Sequence, residues 1–190
     1  MIRIGIVGHR YLGSNEVIEF VSQKCTAILK QAQAEFSNVI ALSAIAEGAD
    51  SLFAEAALSL EIPLEIVRPF QEYVTDFKTI SAREHYDRLH AAACSEKKLT
   101  YVSRSEEAYL RAMDWIVERS DILIAAWNGS VDNDSYGTGY AVKQAILSDI
   151  TWIHLNVVDL SVVYHSVKPF FRRLLDKASF CLIWKSLLKV

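Results

Sequence analysis

Residues 121–129 read Asp-Ile-Leu-Ile-Ala-Ala-Trp-Asn-Gly, and residues 137–139 downstream read Gly-Thr-Gly. The apolar run 121–127 is typical of a strand that is buried on both faces of a parallel sheet. The polar residues 129–135 predict a loop. After the glycines, apolar residues recur at helical spacing: Ala141, Val142, Ala145 and Ile146. The sequence therefore predicts a strand, a loop and a helix with a glycine-rich start.

The start of this helix has the chemistry of an anion site. Gly137, Thr138 and Gly139 leave backbone N–H groups beside the positive end of the helix dipole, where a phosphate is stabilised. The same residues also fit a tight turn followed by an N-cap, without any ligand. Both interpretations stay open from this segment alone.

Outward from this segment, short apolar runs alternate with helical patterns along most of the chain. Strands are predicted at 2–7, 39–43, 64–67, 99–102, 121–127 and 151–155, and helices at 17–32, 52–60, 81–95, 105–119 and 137–146. Ser14 or Asn15 is the expected cap of the first helix, and Ser105 that of the fourth. This alternation predicts right-handed βαβ crossovers. The expected fold class is α/β, Rossmann-like and doubly wound, with a mostly parallel sheet and helices on both faces.

Composition narrows the class of protein. The chain has 190 residues, 52% of them hydrophobic, which predicts a globular domain with a substantial core. Its net charge of −3 argues against a nucleic-acid partner bound through a broad basic surface. The N-terminus lacks a signal-peptide pattern, and Cys25, Cys94 and Cys181 lack disulfide or zinc spacing, which favours a cytoplasmic location. No metal or other cofactor is predicted, since His85 and His90 do not share a helix face.

The sequence divides into two predicted segments. Residues 1–156 form the α/β domain, and residues 157–190 form an apolar and basic helical extension. Its apolar residues recur at helical spacing: Phe170, Phe171, Leu174, Leu175, Ala178, Cys181 and Leu182. The uncharged run 178–184 is far shorter than the ~20 residues of a membrane span. We therefore expect the extension to dock on the domain or on a second subunit of a homo-oligomer, with a membrane-surface helix as the alternative.

Three loops that leave strand ends carry side chains suited to a ligand: residues 8–10, 43–50 and 127–139. A parallel sheet would place all three at its carboxyl edge, where ligands of doubly wound folds bind. The residues predicted to bind a ligand are Gly8, His9, Arg10, Ser43, Glu47, Gly48, Asp50, Trp127, Gly137, Thr138 and Gly139.

Each group in these loops has an expected role and a structural alternative. Arg10 can clamp a phosphate, whereas Glu47 and Asp50 accept hydrogen bonds only and suit ribose hydroxyls. The alternatives are a surface charge for Arg10, a helix cap for Asp50, a structural histidine for His9 and simple core for Trp127.

Taken in order, these segments resemble the SLOG superfamily. They are Gly8-His9-Arg10, residues 42–50 (Leu-Ser-Ala-Ile-Ala-Glu-Gly-Ala-Asp), residues 120–129 and Gly137-Thr138-Gly139, and the resemblance extends over about residues 1–156. That superfamily includes the LOG phosphoribohydrolases, the Smf-type DNA-processing proteins and sensor domains of bacterial antiphage systems. The resemblance implies a Rossmann-like fold and a nucleotide or nucleotide-derived ligand, with its phosphate at the helix start.

One departure from the LOG enzymes bears on catalysis. Those enzymes carry two glycines before the Gly-Thr pair and a catalytic glutamate shortly after it. This chain has Ser135 and Tyr136 before the pair, and Tyr140 and Ala141 after it. Neither Tyr140 nor Ala141 can stabilise an oxocarbenium ion as a carboxylate does.

Three functions are therefore compared. The leading hypothesis is a nucleotide sensor or binding domain. The second is an N-glycosidic hydrolase acting on a nucleoside monophosphate, in which Glu47 or Asp50 supplies the catalytic carboxylate. The third is a structural or partner-binding module whose aromatic C-terminal extension is the interface.

Overall fold

The structure is a computed structural model that describes residues 1–130 and 137–165. Within these residues a seven-stranded sheet is covered by five α-helices. The strands are β1 (Ile2–Gly8), β2 (Val39–Ser43), β3 (Leu64–Phe70), β4 (Ser95–Tyr101), β5 (Ile122–Trp127), β6 (Thr151–Asn156) and β7 (Val162–His165). The helices are α1 (Asn15–Glu35), α2 (Ala49–Ser59), α3 (Ile80–Ala92), α4 (Glu106–Arg119) and α5 (Thr138–Leu147), and a 3₁₀ turn spans Tyr73–Asp76.

The strand order is β4-β3-β2-β1-β5-β6-β7, with β1 to β6 parallel and β7 antiparallel to β6. Helices α1, α2 and α3 pack on one face of the sheet, and α4 and α5 on the other. The predicted Rossmann-like α/β class is thus confirmed. All six residues of β5 are buried, as its uninterrupted apolar run predicts.

Local sequence signals fix the helix starts. The Ser14 hydroxyl accepts a hydrogen bond from the Val17 N–H at 3.3 Å, and the Ser105 hydroxyl accepts one from the Ala108 N–H at 3.1 Å. Both serines therefore cap their helices as expected.

Both edges of the sheet differ from the sequence-based expectation. Strand β4 begins at Ser95 instead of residue 99, because the exposed Lys97 and Lys98 interrupt its apolar pattern. At the other edge, β7 forms inside the segment predicted to be a helical extension. Its Val162 and Tyr164 pack against the core, so the alternation has the period of a strand.

The remainder of the predicted extension, residues 166–190, lies outside the described residues, as do residues 131–136 of the loop after β5. The division of the chain at residue 156 and the helical extension stay predictions. Among the described residues, no helix combines the length and the apolar character needed to cross a bilayer.

Candidate functional site

A cleft of about 770 Å³ opens beyond the carboxyl end of β1. Strands β1 and β5 are neighbours, yet the helices that follow them lie on opposite faces of the sheet. A crevice forms at such a reversal, and it is where doubly wound folds bind ligands. Six of the predicted residues line this cleft: Gly8, His9, Arg10, Asp50, Gly137 and Thr138.

The other five predicted residues are not among those that line the cleft: Ser43, Glu47, Gly48, Trp127 and Gly139. The buried Ser43 hydroxyl donates to the Asp50 carbonyl at 3.2 Å and accepts from the Ile45 N–H at 2.9 Å, so it shapes the loop after β2. Trp127 is 3% exposed and belongs to the core, and Gly139 is buried inside α5. Ligand contact by these five residues stays a prediction. The contacts just given for Ser43, Trp127 and Gly139 are with other parts of the protein.

Two of the predicted glycines allow close packing of the loops. A Cβ on Gly8 would lie 2.5 Å from the Ala49 Cβ and 2.8 Å from the Ala126 carbonyl oxygen. A Cβ on Gly48 would lie 2.4 Å from the carbonyl oxygens of both His9 and Arg10. The loops after β1 and β2 therefore touch through backbone, and the Ala49 N–H donates to the His9 carbonyl at 3.1 Å.

Replacement of Gly48 by alanine should destabilise the protein by about 2 kcal/mol, because overpacking adds to the strain of its φ of +86°. Gly13→Ala is the matched control, since Gly13 also has a positive φ (+81°) but nothing within 4 Å of the added Cβ. Urea unfolding of both variants measures the difference. Equal free energies of unfolding for the two would show that the loops do not need their close approach.

His9 ties the loop after β1 to the loop after β5. Its backbone N–H donates to the Ala126 carbonyl at 2.9 Å, and its ring Nε2 accepts from the Asn128 N–H at 3.2 Å. The acceptor role of Nε2 corresponds to an imidazole that carries no proton on that atom. His9 thus has the structural role weighed above, and it is also one of the residues that line the cleft.

Arg10 belongs to a four-residue cluster at the mouth of the cleft. Its Nη1 lies 3.1 Å from Asp76 Oδ2, and its Nη2 donates to the Tyr109 hydroxyl at 3.2 Å. The Tyr109 hydroxyl in turn donates to Asp76 Oδ2, and Arg104 Nε lies 3.8 Å from Asp76 Oδ1. The two guanidinium groups lie 5.2 and 5.8 Å from the Tyr109 ring centroid. One buried carboxylate therefore holds two arginines.

Sequence reasoning missed Asp76, Arg104 and Tyr109 as members of this site. Asp76 lies in an aromatic segment that has no clear periodicity. Arg104 could have been predicted, because it follows the end of β4. Every loop that leaves the carboxyl end of a parallel strand reaches the same edge of the sheet.

Asp50 is a buried carboxyl group that lines the cleft, with a relative exposure of 7%. Burial raises its pKa to about 7, while the charge of Arg10 and the hydrogen bonds from the backbone N–H groups of Ala46 and Ala44 act in the opposite direction. Near neutral pH this side chain can therefore accept a hydrogen bond or donate one, which differs from the acceptor-only role expected from the sequence.

The start of α5 forms another wall of the cleft. Its N-cap Gly137 has a φ of +100° and provides no capping side chain, and the Thr138 that follows is 8% exposed. Tyr140 fixes the direction of the helix, because its hydroxyl donates to Asp114 of α4 at 2.8 Å. Within the part of the chain that the structure describes, no N-cap side chain accepts from the first N–H groups of this helix, and a helix start of this kind suits an anion.

No group of three or more His, Cys, Asp or Glu side chains suited to a metal ion occurs in residues 1–130 and 137–165. What the cleft offers is hydrogen-bond donors, two guanidinium groups and a carboxyl group that titrates near neutral pH.

No protein-family model and no curated protein matches the chain. Solved structures do match. DNA processing protein A from Helicobacter pylori has a TM-score of 0.56 at 15% identity, over 80% of this chain and 64% of that one. DNA processing protein A from Streptococcus pneumoniae has a TM-score of 0.58 at 13% identity, over 97% and 56%. The protein TM1055 has a TM-score of 0.51 at 11% identity, over 80% and 72%.

One of these structures corrects the expectation about partners. A nucleic-acid partner was not expected from the net charge of −3, and this expectation was wrong, because the Helicobacter pylori protein of this fold has a single-stranded DNA binding mode. Net charge averages over the whole surface, whereas binding of a nucleic acid depends on the local distribution of charge. This chain spans 64% and 56% of the two DNA processing proteins. It has their Rossmann-like fold, the fold implied by its resemblance to the SLOG superfamily.

Proposed function

We propose that the cleft binds a nucleotide or a nucleotide-derived ligand and that its phosphate lies between the start of α5 and Arg10. The observation that carries this proposal is the convergence of Gly137, Thr138 and Arg10 on one cleft at the strand-order reversal. A helix start and a guanidinium group stabilise an anion for independent reasons, the aligned backbone N–H groups in one case and a full positive charge in the other.

Arg10 retains capacity for a ligand although it is held by Asp76 and Tyr109. The two described contacts use one N–H each of Nη1 and Nη2, and a guanidinium has five N–H donors. Its side chain is 39% exposed, so a ligand in the cleft can reach it. Asp76 fixes the direction of the guanidinium and reduces the entropy that Arg10 would lose on binding.

Thermal shift and titration calorimetry with AMP, ADP-ribose, cyclic ADP-ribose and NAD test this proposal. A ligand well above its Kd should raise the Tm by more than one or two degrees through mass action. Arg10→Gln should weaken the binding about tenfold or more, because it removes a charged hydrogen-bond donor. Arg88→Gln, on the exposed side of α3 and outside the cleft, is the control.

A second candidate ligand is a single strand of nucleic acid, favoured by the fold shared with the Helicobacter pylori protein. Fluorescence anisotropy with a labelled oligonucleotide separates the two candidates, since binding through phosphates weakens steeply with salt. Binding of the strand without response to any free nucleotide would replace the first candidate with the second. Absence of binding to both classes would contradict the proposed site.

Hydrolysis of an N-glycosidic bond is the alternative activity, and among the two carboxylates weighed for it only Asp50 lines the cleft. A carboxyl group with a pKa of about 7 suits proton transfer near neutral pH. Release of free base from a nucleoside monophosphate, abolished in Asp50→Asn and kept in Glu47→Gln, would support this activity. Intact nucleotide after long incubation with the wild-type protein would exclude it for that substrate.

Two further expectations belong to this proposal. The cytoplasmic location rests on the spacing of the cysteines, and the homo-oligomer would form through residues 157–190. Removal of residues 166–190, followed by light scattering, tests the second expectation.

A further inference from the structure

At the β7 end of the described strand order, the sheet carries a row of aromatic side chains. Trp152 of β6 pairs with His165 of β7, and His154 pairs with Val163, so these four side chains lie on the same face. The Trp152 and His165 rings stack with their centroids 3.9 Å apart, and the His154 ring lies 6.0 Å from that of Trp152. Trp152 packs against the core beneath α4 and α5, so this is the face that those helices cover. We call these four residues the β6–β7 face.

The β6–β7 face and its surroundings are apolar and partly open. Val163 is 43% exposed, and Ile146 and Leu147 in the last turn of α5 are 55% and 69% exposed. Only the turn 148–150 separates these two residues from β6, so they adjoin the face. Burial lowers the pKa of His165, and the charge of His154 acts in the same direction. The His165 ring is therefore neutral at pH 7 and compatible with apolar contact.

The tail (residues 166–190) follows His165 directly, and its charge complements that of the rest of the chain. It contains six Lys or Arg residues and one Asp, whereas residues 1–165 contain fourteen Lys or Arg residues and 22 Asp or Glu residues. A basic segment is therefore attached to an acidic domain, and the two attract each other at low salt. The tail also carries apolar residues at helical spacing from Phe170 to Leu182, which gain free energy when they leave water.

We propose that the tail docks on the β6–β7 face of its own domain, with its apolar residues against Trp152 and Val163. Attachment at His165, within the face itself, gives the tail an effective concentration there that exceeds the concentration of a second molecule in dilute solution. Its 25 residues would span about 37 Å as a helix. Crossing the face and α5 requires less, because neighbouring strands are about 5 Å apart and packed helices about 10 Å apart. The proposal does not depend on the ligand of the cleft.

Cross-linking of the full chain tests the position of the tail. Cys181 belongs to the tail, and Val163→Cys adds a thiol to the β6–β7 face. A short bismaleimide should join these two positions within one chain, and peptide mass spectrometry identifies the product. Cys94 is the internal control, because it is exposed beside β4, at the other end of the described strand order. It should not be linked to Cys181.

Limited proteolysis tests whether the β6–β7 face holds the tail. Chymotrypsin cleaves after aromatic residues, which the tail contains. Val163→Lys should speed cleavage within the tail about tenfold, because it removes an apolar contact and repels the basic segment. Val102→Lys is the matched control, since Val102 is 63% exposed and follows β4. Its tail should be cleaved at the wild-type rate.

Every other outcome would overturn the proposal. A cross-link between two chains would assign the tail to a second copy of the protein. Equally fast cleavage of the wild type and of Val163→Lys would show that the face does not hold the tail, and protection only by vesicles of anionic lipid would assign the tail to a membrane surface. Slow cleavage of both proteins without the expected cross-link would place the tail on another surface. The cross-link decides independently of whether Val163→Lys folds.

Discussion

Replacement of Asp50 by asparagine should raise the free energy of unfolding by on the order of 4 kcal/mol at pH 8. Burial raises the pKa of this carboxyl group from its usual value of 3.8 to about 7, so its ionised form is disfavoured in the folded state. The raised and the usual pKa of Asp50 differ by about three units, and each unit corresponds to about 1.36 kcal/mol of destabilisation of the folded state when the group is ionised. Asparagine keeps the size and the acceptor oxygen of the side chain, and it never carries the charge.

The sign of the pH dependence follows from proton binding. Between pH 3.8 and about 7 the folded protein keeps a proton on Asp50 that the unfolded chain has already released. The free energy of unfolding therefore falls as the pH rises through this window. Above about pH 7 the contribution of Asp50 no longer changes with pH. The gain in Asp50→Asn should be absent below pH 3.8 and should grow until about pH 7.

Urea unfolding of the wild type and of Asp50→Asn at pH 5 and pH 8 measures this effect. The difference between the two proteins should be larger at pH 8. Asp149→Asn, at an exposed turn residue after α5, provides a control for a generic effect of lost negative charge. If Asp50→Asn raised the free energy of unfolding equally at pH 5 and at pH 8, Asp50 would be ionised in the folded protein at both pH values, which would contradict the prediction.

Replacement of Asp76 by asparagine should have the opposite effect and destabilise the protein by about 3 kcal/mol. The Asp76 side chain is 4% exposed and faces both Arg10 and Arg104. Loss of its charge leaves two guanidinium groups beside the Tyr109 ring without a common counter-ion. Breaking a fully buried ion pair costs about 3–5 kcal/mol, and the lower end applies because both arginines reach solvent.

A double-mutant cycle tests this second prediction. Arg104→Gln alone should cost little, because its side chain is 65% exposed. In the Asp76→Asn background the same change should stabilise the protein, since it removes one of two adjacent like charges. Additive effects of the two substitutions would show that Arg104 and Asp76 are energetically independent.

Short-range patterns were sufficient to predict the α/β class and the location of the cleft. The buried run in β5, the caps at Ser14 and Ser105 and the alternation of strands and helices are local signals. The fold itself then brings Gly8–Arg10, Asp50 and Gly137–Thr138 together at the reversal of strand order. A parallel sheet has one carboxyl edge, so the joint location of these residues follows from the strand assignments.

The partners of these residues could not be predicted in the same way. Asp76 and Tyr109 are 33 residues apart in sequence, and Arg10 and Tyr109 are 99 apart. No periodicity connects such positions, and side-chain packing alone decides them. The glycines illustrate a second difficulty, because the close approach of the His9 and Arg10 carbonyl groups is by itself enough to require a glycine at position 48. A glycine pattern does not distinguish such packing from ligand binding.

The charged outer strand β4 also has a consequence for the behaviour of the protein at high concentration. Its Lys97 and Lys98 side chains are exposed, and among residues 1–130 and 137–165 this strand has a neighbour on one side only. A strand of another molecule that approached this border would bring identical ammonium groups towards them and would strip their hydration. Growth of β-fibrils from this side is therefore opposed.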